Sequence, residues 1–167
     1  MANPVVYRPA KIYAFMQVAQ INDTGDITSD TSATSMTVDA GHRLEVGMDV
    51  LIENEAVKVT AINTSTHAIT INRAEVTHHA NNTAIFAWSE LKNSNDVPLV
   101  QHFTIIDELY KPRVLQMTLG NTFSSTKVSS GILEGVVKQG LSIKVEEGEN
   151  HSILFTGKIS SVTRQQS

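Results

Sequence analysis

The stretch that most limits what this chain can become is Ala56-Val57-Lys58-Val59-Thr60-Ala61-Ile62, where apolar and polar side chains alternate with a period of two. That is the period of a strand, whose successive side chains point to opposite faces of a sheet. A strand of this kind needs neighbours to pair its backbone and something apolar against its inner face. The flanking sequence offers both. Met36-Thr37-Val38, Val50-Leu51-Ile52, Ala68-Ile69-Thr70-Ile71 and Thr83-Ala84-Ile85-Phe86-Ala87-Trp88 are short β-prone runs. Polar reversals separate them at Glu53-Asn54-Glu55 and at residues 63–67. Short strands at this spacing suggest a small barrel or sandwich over residues 36–88.

On either side the same reading continues. Residues 1–10 carry Pro4 and Pro9 and read as an irregular arm. Residues 11–21 contain Ile12-Tyr13-Ala14-Phe15-Met16-Gln17-Val18, a strand by its aromatic and β-branched content. Residues 22–35 hold Asp, Thr, Ser and Gly with a single Ile, too little apolar surface to fold alone, and read as a polar loop. Residues 89–100, with Asn93-Ser94-Asn95-Asp96 and Pro98, read as a linker. Beyond it, 102–109 and 114–119 are expected strands around the Lys111-Pro112 turn. Residues 122–130 form a second Ser/Thr-rich loop, and 131–140 a strand or turn rather than a helix. Residues 141–145 and 153–162 are expected to form a hairpin, with Glu146-Glu147-Gly148-Glu149 as its solvated tip. Gly157 inside the last strand points to a bulge or a close backbone approach.

Side chains capable of chemistry are scattered. His78 and His79 are adjacent, with Glu75 nearby, but no third histidine completes a recognisable ligand set, so they read as a polar loop. Asp107 and Glu108 are neighbours on the chain and do not flank a bond as a glycosidase pair must. No serine occupies a nucleophile elbow and no glycine-rich loop precedes a helix. Neither a cofactor, a metal nor an enzymatic activity is expected. A formal net charge of −4 gives no reason to expect sequence-specific nucleic acid binding. The absence of cysteine excludes disulfides and leans toward a cytosolic site of assembly. The N-terminal residues lack a signal pattern, and the apolar runs are far shorter than the ~20 residues that span a bilayer, so no membrane partner is expected.

Two patterns resemble known families. Val46-Gly47-Met48-Asp49-Val50-Leu51-Ile52, Glu55 to Ile62, Ile69-Thr70-Ile71-Asn72-Arg73-Ala74 and His79-Ala80-Asn81-Asn82-Thr83 together resemble a small module found in tailed-phage structural proteins. That module often has Arg-Gly where this chain has Arg73-Ala74. Phe103 to Leu109, Leu115-Gln116-Met117-Thr118-Leu119-Gly120-Asn121, Gly140 to Val145 and Ile153 to Ile159 resemble the first barrel of phage baseplate hub proteins, relatives of the type VI secretion spike. Hub proteins are usually longer, with a second barrel, which points to a tube, adaptor or reduced hub subunit.

The resemblance implies a mainly β protein: a barrel- or sandwich-like hub or tube domain at 101–167, pairing with the 11–21 strand, and a small barrel-like module at 36–88. It implies a structural role in the virion, in a phage tail assembled in the host cytoplasm. Its partners would be copies of itself in a trimeric or hexameric ring and other tail proteins. Phe103, Ile105, Leu115, Met117, Phe155 and Ile159 are the candidate assembly contacts. The alternative is a carbohydrate-binding or host-attachment module that uses Trp88, Phe86 and Tyr110 against a glycan.

Overall fold

The computed structural model describes residues 10–22, 34–73, 78–92, 98–119, 138–147 and 151–162. The protein is mainly β, with ten strands and no helix among these residues. The chain divides into two compact units, Phe15–Ser89 and a second made of Met1–Ala14 with Glu90–Ser167. The first strand, β1 (Ala10–Gln20), runs through the boundary between them.

In the Phe15–Ser89 unit β1 is followed in the sheet by β6 (Ala84–Glu90), β3 (Asp49–Ile52), β4 (Glu55–Asn63), β5 (Ala68–Asn72) and β2 (Ser35–Thr37). β3 pairs antiparallel with β4 and β6, and β5 antiparallel with β4 and β2, with Val50 opposite both Val57 and Ala87. The alternation seen in the sequence sorts the side chains. Val50, Ile52, Val57, Val59, Ile69, Ile71, Ile85 and Ala87 are buried on one face. Leu51, Ala56, Lys58, Phe86 and Trp88 lie on the other. Each fully buried aliphatic side chain contributes about 1.5–3 kcal/mol, so this row fixes the register. A bulge between Val59 and Ala61 lets both Thr60 and Ala61 face outward. The β4–β5 turn is closed by the Asn63 side-chain oxygen, which accepts from the backbone N–H groups of Ser65 and Thr66 at 3.0 and 3.2 Å. Gly47 sits at a φ of +90°, which glycine adopts without steric cost, just before β3.

The other unit contains β9 (Ser142–Glu147), paired on one side with β10 (Ile153–Lys158) and on the other with the start of β1, from Ala10 opposite Glu147 to Ala14 opposite Ile143. A separate two-stranded sheet joins β7 (Val100–Ile106) to β8 (Val114–Leu119). No sheet closes on itself among the described residues.

Several boundaries differ from expectation. The strand expected over 102–109 ends at Ile106, because Asp107 and Glu108 turn outward to pair with Arg113 and Lys111. The expected linker at 89–100 is tied down at both ends. β6 continues to Glu90, Leu91 and Leu99 are buried, and the Leu91 N–H donates to the Ile12 carbonyl at 2.8 Å. Glu146, expected at a solvated hairpin tip, is a buried member of β9 held by Lys144 at 2.5 Å. The polar loop at 122–130, the 131–137 segment and Gly148 lie outside the described residues. Gly157 is a close approach. A Cβ there would lie 2.8 Å from the Phe155 ring, while the bulge of β10 falls between Ile153 and Phe155.

Candidate functional site

The six candidate assembly residues all lie in the unit built around β7–β10, and all are half-buried. Pairing of β7 with β8 sets Phe103 opposite Met117 and Ile105 opposite Leu115, which places four apolar side chains on one face of a two-stranded sheet. Phe155 stands on β10, over Gly157. Ile159 follows that strand, its N–H donating to the Leu141 carbonyl at 2.9 Å. The Arg113 guanidinium donates to the Leu154 carbonyl at 2.9 Å and so ties the start of β8 to β10. None of the 19 residues in β7, β8 and β10 is buried. The β7–β8 turn carries Leu109, 82% exposed, and Tyr110, 97% exposed. It is pinned by Asp107 to Arg113 at 3.2 Å and by Glu108 to Lys111.

The three candidate glycan-contact residues divide. Tyr110 belongs to the β7–β8 unit, whereas Phe86 and Trp88 lie side by side on β6 in the Phe15–Ser89 unit. Their neighbour is Phe15 of β1, a residue the sequence did not single out. Its ring is 6.0 Å from Phe86 at an interplanar angle of 22° and 5.5 Å from Trp88 at 57°. Both distances fall in the range of favourable aromatic pairs.

The feature that sequence reasoning missed most completely is a buried charged cluster. Glu53-Asn54-Glu55 reads as a polar reversal and His79 as part of a polar loop, yet Glu55 is 1% exposed and His79 is fully enclosed. Arg73 grips Glu55 through two parallel hydrogen bonds, Nε to Oε1 and Nη2 to Oε2, each 2.9 Å. The His79 ring lies between two carboxylates, with Nε2 2.6 Å from Glu55 and Nδ1 3.0 Å from Glu53. Each ring nitrogen thus faces a carboxylate, and Glu55 is shared between Arg73 and His79. Burial pushes the Glu55 carboxyl up, but hydrogen bonds from Arg73 and His79 outweigh it and hold the group below its ordinary value. Glu53 takes a φ of +53° at the reversal, an uncommon backbone for a non-glycine residue, and its side chain reaches back to His79. One signal of this cluster was present. Glu55 shares the parity of Val57 and Val59, so it had to face inward, and an inward carboxylate requires a partner.

The remaining histidines are dispersed. His42 meets His67 edge to face at 6.0 Å, and burial lowers the His42 pKa. His102 contacts Thr104, and His151 lies 3.6 Å from Glu146. Among the described residues no group of His, Asp or Glu side chains is arranged to hold a metal ion, and no helix is long and apolar enough to cross a membrane. No protein-family model matches the chain, and no curated protein or solved structure shows a significant similarity to it.

Proposed function

We propose that this protein is a non-enzymatic structural subunit of a phage tail, assembling with copies of itself into a ring at the baseplate hub or the tail tube. The phage assignment is supported by the resemblance carried on residues 46–83 and 103–159. Assembly is supported by one observation above the others: none of the apolar side chains carried by the three strands β7, β8 and β10 is buried. An isolated two-stranded sheet is marginal in water, and an apolar face that its own unit leaves half open gains free energy when a second surface covers it. Phe103, Ile105, Leu115 and Met117 form such a face. Ring contacts between identical chains join two different surfaces of the subunit, and an exposed strand edge such as that of β10 suits them. The carboxylates fit a structural role, since Asp107, Glu108, Glu55 and Glu146 each hold a cationic partner.

The test is light scattering of the purified chain over a concentration series. The expected result is a discrete trimer or hexamer, or growth into tubes. Ile105→Asp combined with Met117→Asp is expected to shift the mass to monomer while the fluorescence of Trp88, in the other unit, stays unchanged. A chain that is monomeric at every concentration, before and after these substitutions, overturns the reading.

A further inference from the structure

The unit that carries β7 and β8 holds a cavity of about 130 Å³ where β1 and β7 begin. Ile12 and Leu91, both buried, and the half-buried Val100 and Phe103 give it an apolar lining. Lys11 and Glu90, paired at 3.3 Å, and the exposed Gln101 add polar groups. An apolar cavity of roughly 150 Å³ takes up benzene, so this one has room for a single aromatic ring. The mixed lining suits a ring with an apolar body and a polar tip.

The same unit presents such a ring to solvent. The Lys111 N–H donates to the Glu108 carbonyl at 3.1 Å, which makes Tyr110 the third residue of a tight turn. Its φ is +64°, a backbone that glycine or asparagine adopts more easily than a bulky residue. Tyr110 is also 97% exposed, so its ring returns almost no burial to its own chain in exchange for that strain. The ion pairs Asp107–Arg113 and Glu108–Lys111 brace the turn that holds it. Cavity and ring do not meet within one chain. The cavity lies at the start of β7, and the strand runs on through Ile106 before the turn, which sets Tyr110 on the order of 10–20 Å further along.

We infer that Tyr110 of one copy of the chain enters the cavity lined by Ile12, Leu91 and Phe103 in the next copy. The ring rests on the apolar lining and its hydroxyl points toward the Glu90 carboxylate, which can accept from it. A projecting ring and a receiving cavity are two different surfaces of one subunit, and a contact of that kind, repeated from copy to copy, closes a ring when the rotation allows. Phe103 lines the cavity and also stands on the β7–β8 face, so the contact continues that face. The inference rests on the ring reading and names the residues that join one subunit to the next.

The test is Tyr110→Gly in the full chain, read by light scattering over a concentration series and by thermal unfolding of the dilute protein. Association should weaken at least about thirtyfold, as when an aromatic anchor is removed from an interface. The unfolding midpoint of the dilute chain should stay the same or rise, because glycine relieves the positive φ. A role confined to the subunit's own fold would lower that midpoint instead. A second experiment exploits the absence of cysteine from the chain. Leu109→Cys combined with Gln101→Cys keeps Tyr110 and sets one thiol beside the ring and one at the cavity. A short bismaleimide should join these chains into a ladder that extends beyond dimers, and adding Tyr110→Gly should remove the ladder. A wild-type chain that assembles while Tyr110→Gly assembles equally well, or while the cysteine pair gives no ladder, overturns the inference and leaves the ring reading standing. A wild-type chain that stays monomeric at every concentration overturns both.

Discussion

Residues 15–89 and the rest of the chain are built from strands of the same kind, yet they bury them very differently. Of the 21 buried apolar residues, 15 belong to the Phe15–Ser89 unit and six to the other, although the structure describes 60 and 52 residues of them respectively. The first unit has a continuous aliphatic face and encloses the buried Arg73–Glu55 ion pair. The second has an apolar face on β7–β8 that is only half covered. The contrast separates two uses of alternation. In the first unit it completes a fold, and in the second it leaves a surface whose stability depends on what meets it.

The sharpest way to test that contrast is to break the charged cluster. Replacing Arg73 with Met leaves Glu55 buried with its bidentate partner gone, at a cost of about 3–5 kcal/mol. The loss should appear in denaturant unfolding followed by Trp88 emission, with little effect on hydrogen exchange in β7 and β8. The same cluster sets an acid limit. The Glu55 carboxyl is held below its ordinary value in the folded state, so it contributes stability that is fully present above that ordinary value. The contribution is lost as the pH falls through the depressed folded value, where Glu55 takes up a proton. Acid unfolding of the Phe15–Ser89 unit should therefore be steep below the usual carboxylate range, and shallower in Glu55→Gln. Equal slopes in the two proteins would remove Glu55 from the acid transition.

A smaller effect compares one substitution in both units. Ile85→Ala empties a fully buried site between β3 and β1 and should cost about 2–5 kcal/mol. Ile105→Ala removes a half-buried side chain and should cost roughly 1 kcal/mol in the dilute chain, rising when the protein is concentrated enough to assemble. Hydrogen exchange of β6 and β7 at two protein concentrations measures both. Equal costs at low concentration would show that the β7–β8 face is as well covered as the core, and the contrast would fail.

How much of this was legible beforehand follows from the range of each interaction. The strands were legible because period-two alternation is local: Ala56 to Ile62 and Ala68 to Ile71 declare themselves within a few residues. The reversals expected at 53–55 and 63–67 were legible through polar residues between apolar runs, except that Glu55 belongs to β4 rather than to the turn. The inward turn of Glu55 was legible from its parity with Val57 and Val59, but its meeting with Arg73 and His79 was not, because that depends on which strands pair, and these residues lie 18 and 24 positions further along the chain. Phe15 escaped for the same reason, since its aromatic neighbours lie on β6, a strand remote in sequence. Glu146 looked like part of an acidic tip because the run of carboxylates hid where β9 ends. Whether short strands at this density make a barrel or a sandwich is likewise a property of the whole set of pairings rather than of any one strand, and no sheet closes among the described residues.

The smallest expected effect concerns Gly157. A methyl group there would lie 2.8 Å from Cε1 and Cζ of Phe155, closer than real Cβ atoms approach, so something must give. The clash falls on the far edge of a half-buried ring, and the ring can rotate away more easily than the backbone can shift. Gly157→Ala should therefore cost only about 1 kcal/mol in β9–β10, read as faster exchange of the Val145 and Lys144 amides, with Trp88 emission unchanged. The useful outcome is the ratio of this loss to any loss of assembly. A ring displaced from β10 changes the shape of the exposed face much more than the stability of the strand beneath it. If subunit association weakens severalfold while the monomer loses so little, the position of Phe155 matters through the contact it makes with another chain. If both change in proportion, the ring serves β10 alone, and the assembly face contracts to the four side chains of β7 and β8.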